Sequence, residues 1–385
     1  MNRGYVLLIV TLCLVGLGCP SGRDGNSCRI ALVGPISGEQ ASLGREIHRA
    51  RLVAEAELET KEHNSNVVIR EVDTASTPAV ARVEVARVME SWHPEIIVGS
   101  IISAETREFL PLALERDLVV VANGSSDPAI RDLPFRTEGD SFFRNWPADD
   151  FEGRVMAEYL RASGRADSLV ILQASDPYAA GLVAAFKARF EELGGKILGL
   201  EVYPLDLSNF EALLRRQPMT DIDGYYIIGF PPDVSAIYNT IRRTENIKSL
   251  PIYSAAGAST GEFSNLVNGP VDNVFFTSPE VDETAGIYFD FRVRYQEMFK
   301  DEQPDIVSAI TYDAIEIALR SIEVAGCERK AIRDFLHGEF IFEGTTGLTQ
   351  FDQFGDVVTK EVSIEVYEEG RRIMIEKRRA NAGAK

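Results

Sequence analysis

From Ile30 onward the chain repeats one pattern: a short apolar run, a loop rich in Gly, Pro, Ser or Asp, then a longer stretch with apolar residues at helical spacing. The runs at 30–33, 96–98 and 118–122 lack polar alternation, which predicts strands buried on both faces. Leu43, Ile47, Ala50 and Ala54 fall on one face of an intervening helix, and Thr77-Pro78 marks the start of another. A strand at 67–72 and a helix from Ser103 complete the first series. A second series follows, with strands at 169–172, 197–202, 225–230, 252–253 and 273–276. Helices are predicted at 177–193, 209–216, 233–245, 284–300 and 304–325. The C-terminal part, 348–351, 362–367 and 371–376, reads as strands joined by turns, with a disordered tail at 379–385. Buried strands alternating with helices predict an α/β fold of two parallel, doubly wound layers.

The first residues follow a different pattern. Arg3, an apolar stretch from Tyr5 to Leu17 and the small residue Gly18 before Cys19 predict a signal peptide over 1–18, too short to span a membrane as a helix. The polar stretch up to residue 28 reads as a flexible tether. The chain has 385 residues, which at roughly 150 per domain suggests two or three domains. Its formal net charge of −19 argues against nucleic acid or an anionic lipid surface as partner.

Cysteine usage narrows the chemistry. Cys13 leaves with the signal, and no two of Cys13, Cys19, Cys28 and Cys327 form a CxxC pair, so no metal site is expected. Cys28 opens the first strand and Cys327 follows a helix. Strand N-termini and helix C-termini share one edge of an α/β layer, so the two either pair as a disulfide or remain separate buried thiols. The sequence has no GxSxG elbow, HExxH or GxxxxGK[ST], and no catalytic residue or cofactor is expected. Asp149-Asp150 reads as an acidic helix N-terminus rather than an acid/base pair.

In open parallel sheets, ligands bind beyond the carboxyl ends of the strands, where loops lead into helix N-termini. That rule selects Ser103, after the strand at 96–98, and Ser126, after the strand at 118–122. Both positions offer free backbone N–H groups suited to a carboxylate, and both serines are equally explained as helix caps.

Several stretches resemble, in order, the periplasmic leucine/isoleucine/valine-binding protein family, the type I periplasmic binding proteins that serve as receptors for ABC importers. They are Ile30-Ala31-Leu32-Val33-Gly34-Pro35-Ile36-Ser37-Gly38, Val98-Gly99-Ser100, Gly124-Ser125-Ser126-Asp127-Pro128 and Phe142-Phe143-Arg144-Asn145-Trp146-Pro147-Ala148-Asp149. Asp176-Pro177-Tyr178, Thr311-Tyr312-Asp313-Ala314 and Gly344-Thr345-Thr346-Gly347 continue the series. Gly18-Cys19 is similar to a lipoprotein signal, which implies lipidation at Cys19 and a membrane-anchored, extracytoplasmic protein. Gly16 stands where such signals favour an aliphatic residue.

The resemblance implies two lobes joined by three crossings: 29–143 with 278–346, and 144–277 with 347–378. It implies a monomer that closes on a small-molecule ligand and docks on an ABC permease. Residues matching Ser103, Gly124 and Ser126 hold a ligand's carboxylate and part of its ammonium in the family. Leu43, Tyr178 and Phe230 match positions that touch the rest of the ligand. In amino-acid binders an acid follows the strand at 252–253, where this chain has Ala256. Either another acid, such as Asp233, replaces it, or the ligand has no amine; the second reading is preferred, and it makes the ligand a small carboxylate, amide or other polar organic molecule. The alternative function is an envelope lipoprotein of the same fold that senses or scaffolds without transport.

Overall fold

The structure, a computed structural model, describes residues 27–60, 66–207, 209–218, 220–279, 281, 285–300, 302–338 and 340–379. The expected signal peptide, Cys19 and the tether up to residue 26 lie outside the described residues. So do residues 380–385 of the expected tail, whereas Arg379 closes the last strand.

The chain opens with β1 (Cys28–Gly34), α1 (Ala41–Thr60), β2 (Val67–Asp73), α2 (Pro78–Ser91), β3 (Ile96–Gly99), α3 (Ser103–Leu114), β4 (Val119–Ala122) and β5 (Phe142–Arg144). These five strands form one parallel sheet of order β2-β1-β3-β4-β5. Alternate residues of each strand face opposite layers. Ile30 and Leu32 pack into a core shared with α1, while Ala31 and Val33 pack against α2 and α3. This two-sided burial is why the runs contain no polar alternation.

The chain then crosses to α4 (Asp149–Ser163), β6 (Ser168–Ala174), α5 (Pro177–Glu192), β7 (Lys196–Tyr203), α6 (Phe210–Leu214), β8 (Gly224–Ile228), α7 (Pro231–Arg243), β9 (Ile252–Ser254), α8 (Gly261–Leu266) and β10 (Val274–Pro279). It returns through α9 (Gly286–Met298), α10 (Ile306–Ala325) and α11 (Arg329–His337), whose apolar faces fill the core on the α1 side of the first sheet. A hairpin of β11 (Phe342–Gly344) and β12 (Gly347–Thr349) precedes β13 (Glu361–Glu368) and β14 (Arg371–Arg379). The expected single strand at 348–351 is thus the second arm of a hairpin.

The second sheet has the order β14-β13-β10-β9-β8-β6-β7. Five of its strands are parallel, and β13 and β14 extend it as an antiparallel ribbon. Arg144, fully buried at the end of β5, ties the connections together: its Nε donates to Asp356 Oδ1 at 2.6 Å, and Nη1 donates to the carbonyls of Ser125 and Asp127. Gly355 has φ of 75°, and a Cβ there would lie 1.9 Å from the carbonyl oxygen of Phe142, so only glycine allows this strap to lie against β5. Cys28 and Cys327 are joined by a disulfide with Cα atoms 5.4 Å apart, linking the start of β1 to the segment after α10.

Candidate functional site

The carboxyl ends of the strands in both sheets face one another, and a small cavity of about 40 Å³ lies between them. It has room for roughly three waters, less than a small organic solute occupies. Two larger concavities, about 910 Å³ each, are open grooves at the edges of the same cleft. The small cavity is the stronger candidate, because its walls are buried and its polar atoms are shielded from water.

The first sheet supplies Leu43 from the first turn of α1, Ser103 from the start of α3, and Gly124 and Ser126 from the loop after β4. Ser103 Oγ accepts from the Asp127 amide at 3.3 Å, which fixes the loop carrying Ser126 against α3. The second sheet supplies Tyr178 from the first turn of α5 and Phe230, the residue before α7, whose rings lie 5.9 Å apart. All six positions singled out in the sequence therefore line one cavity. Tyr178 does not hang free across the cleft: its Oη accepts from the Gly257 amide at 2.9 Å, which holds the ring over the loop after β9. Burial pushes its phenol pKa up, so it remains a neutral hydroxyl.

Sequence reasoning missed several neighbours. Trp146, just before α4, lines the cavity, as do Val307 at the start of α10 and Thr260 before α8. Trp146 Nε1 and Thr260 Oγ1 are buried without a hydrogen-bond partner in the protein. Both residues lie at helix starts, which is the signal that could have found them.

Ala256 lines the cavity where an acid was expected, and its amide donates to Glu152 Oε1 at 2.8 Å. Thr277 Oγ1 donates to the same oxygen at 2.7 Å, and Oε2 has no partner. Burial pushes the Glu152 carboxyl up to about 7. Asp149, one turn earlier and fully buried, is raised by burial and by the neighbouring Glu152 charge, with the Ser126 hydroxyl drawing it partly back. Asp233 does not take the missing acid's place. Its Oδ1 accepts from the Phe230 amide at 2.9 Å, its other oxygen takes the Tyr203 hydroxyl, and it borders an outer groove. No group of three or more His, Cys, Asp or Glu side chains among the described residues is placed to hold a metal ion.

The arrangement has hydroxyls and helix N-termini on one side, aromatic faces on the other and no positioned nucleophile with a base. That is a site for holding a small molecule. The sequence model described as a periplasmic binding protein matches residues 27–360. The chain belongs to the periplasmic binding protein family. It is accordingly a solute-binding protein of an extracytoplasmic family.

Among its relatives, the leucine-, isoleucine-, valine-, threonine- and alanine-binding protein of Pseudomonas aeruginosa is 21% identical over 352 residues, covering 89% of this chain and 90% of the relative. A leucine-binding protein from Thermotoga maritima superposes with a TM-score of 0.82 at 23% identity, covering 92% of this chain and 99% of the other. A solute-binding protein of an ABC transporter from Rhodopseudomonas palustris, in complex with 3,4-dihydroxybenzoic acid, gives 0.82 at 16% identity, covering 92% and 98%. These likenesses fix the fold as two-lobe, type I architecture.

Proposed function

We propose that the protein is the lipid-tethered, extracytoplasmic receptor of an ABC importer, which closes by hinge motion on a small polar organic solute. The observation that carries this reading is the buried cavity lined from both sheets by residues at strand ends and helix starts. The lobes are 29–143 with 278–346, and 144–277 with 347–378, so three crossings act as the hinge. Ser103, Gly124 and Ser126 hold a polar end of the solute, while Leu43, Tyr178 and Phe230 enclose the rest. Closure buries the solute and presents a surface for a membrane permease. The protein acts as a monomer attached through Cys19. The relatives named above bind amino acids or an aromatic acid, and the solute class proposed here is correspondingly an amino-acid-like molecule, carboxylate or amide.

The test is a thermal-shift screen of such solutes followed by small-angle scattering. A binder at 100-fold its Kd stabilises by about 2.7 kcal/mol, and scattering should report a smaller radius of gyration with that ligand present. A protein that binds nothing across the screen, with an unchanged radius, would instead be an envelope sensor or scaffold.

A further inference from the structure

We propose that the carboxyl pair Asp149 and Glu152, at the start of α4, answers a positive charge on the ligand, so that the solute carries an ammonium group. This rests on the receptor reading above and narrows its solute class. It also reverses the expectation drawn from Ala256 alone.

The loop after β9 has no acid between Ser254 and Thr260. Its Ala256 amide is instead bonded to Glu152 Oε1, so a carboxyl from α4 stands directly behind the position where the acid was sought. Asp149 and Glu152 are three residues apart and share the inward face of α4, on which Val155 and Met156 join the core. Neither is more than 1% exposed. Glu152 Oε2 lacks a partner, and so do Trp146 Nε1 and Thr260 Oγ1 in the cavity wall.

The surroundings do not neutralise the pair. Asp149 faces Glu152 on its own helix, Ser126 and Asp127 from the loop after β4, and Arg144 from β5. Arg144 is committed to Asp356 and two carbonyls. Glu152 faces the Ala256 amide and Thr277, and the phenols of Tyr178 and Tyr226 face both acids. Two buried carboxyls three residues apart on one helix face repel when both are ionised, so the ligand-free pair retains a proton. An ammonium group replaces that proton, which leaves to the buffer. An anion at the same place would require both acids to be protonated. Asp149 and Glu152 stand behind the cavity wall at Ala256, and the wall's aromatic residues Trp146, Tyr178 and Phe230 also favour a cation.

The experiment is titration calorimetry near pH 6.5 in two buffers of different ionisation enthalpy. The probes are L-alanine, L-valine, ethanolamine and glycine betaine, set against propionate, isovalerate and benzoate. The expected result is binding by nitrogen-bearing probes only, with protons released. Glu152→Gln, which keeps the shape and the acceptor oxygen, should weaken that binding by about 10- to 100-fold, the range for a charge-assisted hydrogen bond. Carboxylates binding as tightly as their amine counterparts, proton uptake, or unchanged affinity in Glu152→Gln would each overturn the proposal. If that variant does not fold, the proton count of the unmodified protein decides. Binding by neither set defeats the receptor reading itself and the proposal with it.

Discussion

At Gly124 a Cβ would stand 2.3 Å from Cγ1 of Ile101 and 3.0 Å from its Cα. The first atom belongs to a side chain that can turn away, but the second is backbone leading directly into Ser103. Gly124→Ala therefore forces the start of α3 away from the loop after β4. The expected outcome is a loss of about 1–3 kcal/mol in urea unfolding, together with at least tenfold weaker binding of any solute found in the screen. Ser103 and Ser126 were legible in the sequence because strand ends followed by helix starts have a physical reason to bind ligands. Glu152 was not legible. Acids in a first helical turn are already explained by the helix dipole, and only tertiary structure shows that Asp150 pairs outward with Arg154 while Glu152 points into the core.

Among the elements, the buried strands were easy to read, since apolar runs of four or five residues punctuated by loops carry their own signal. The hairpin of β11 and β12 was not, and β13 and β14 were grouped with the second series only through the family resemblance. Pairing partners far apart in sequence leave no local trace, and β13 joins β10 through the register Pro279 to Val362. The segment linking the hairpin to β13 is held from α10. Asp313 accepts from the amides of Thr345 and Thr346 at 2.7 and 2.8 Å, and Lys360 Nζ donates to the Thr346 carbonyl at 3.0 Å. Burial lowers the Lys360 pKa to about 8, against the pull of Asp313. The folded state therefore binds fewer protons at this lysine than the unfolded state does. Its contribution to stability rises as pH increases from about 8 towards the ordinary lysine value. Lys360→Met should remove that rise, which thermal unfolding measured between pH 7.5 and 10 would detect.

For the molecule as a whole, the division into two or three domains suggested by length corresponds to two sheets, each assembled from separated segments. The net charge of −19 gave no hint of the site. The cavity wall itself carries no acidic residue, and the proposed pair, Asp149 and Glu152, is buried behind it. The disulfide joins residues separated by 299 positions, so it constrains most of the unfolded chain. Cys28→Ser is expected to cost about 2–5 kcal/mol, seen as a lower melting temperature that reductant reproduces in the unmodified protein. The discontinuous order of the sheets also bears on how the chain is made. β10 remains without its outer neighbour until β13 emerges, and the first core lacks a wall until α10 and α11 have been synthesised. Neither half can complete itself on the ribosome ahead of the other, because contacts of such long sequence separation form late. The chain thus stays open to threading until nearly its last residues, a property suited to a protein that must be moved across a membrane before it folds.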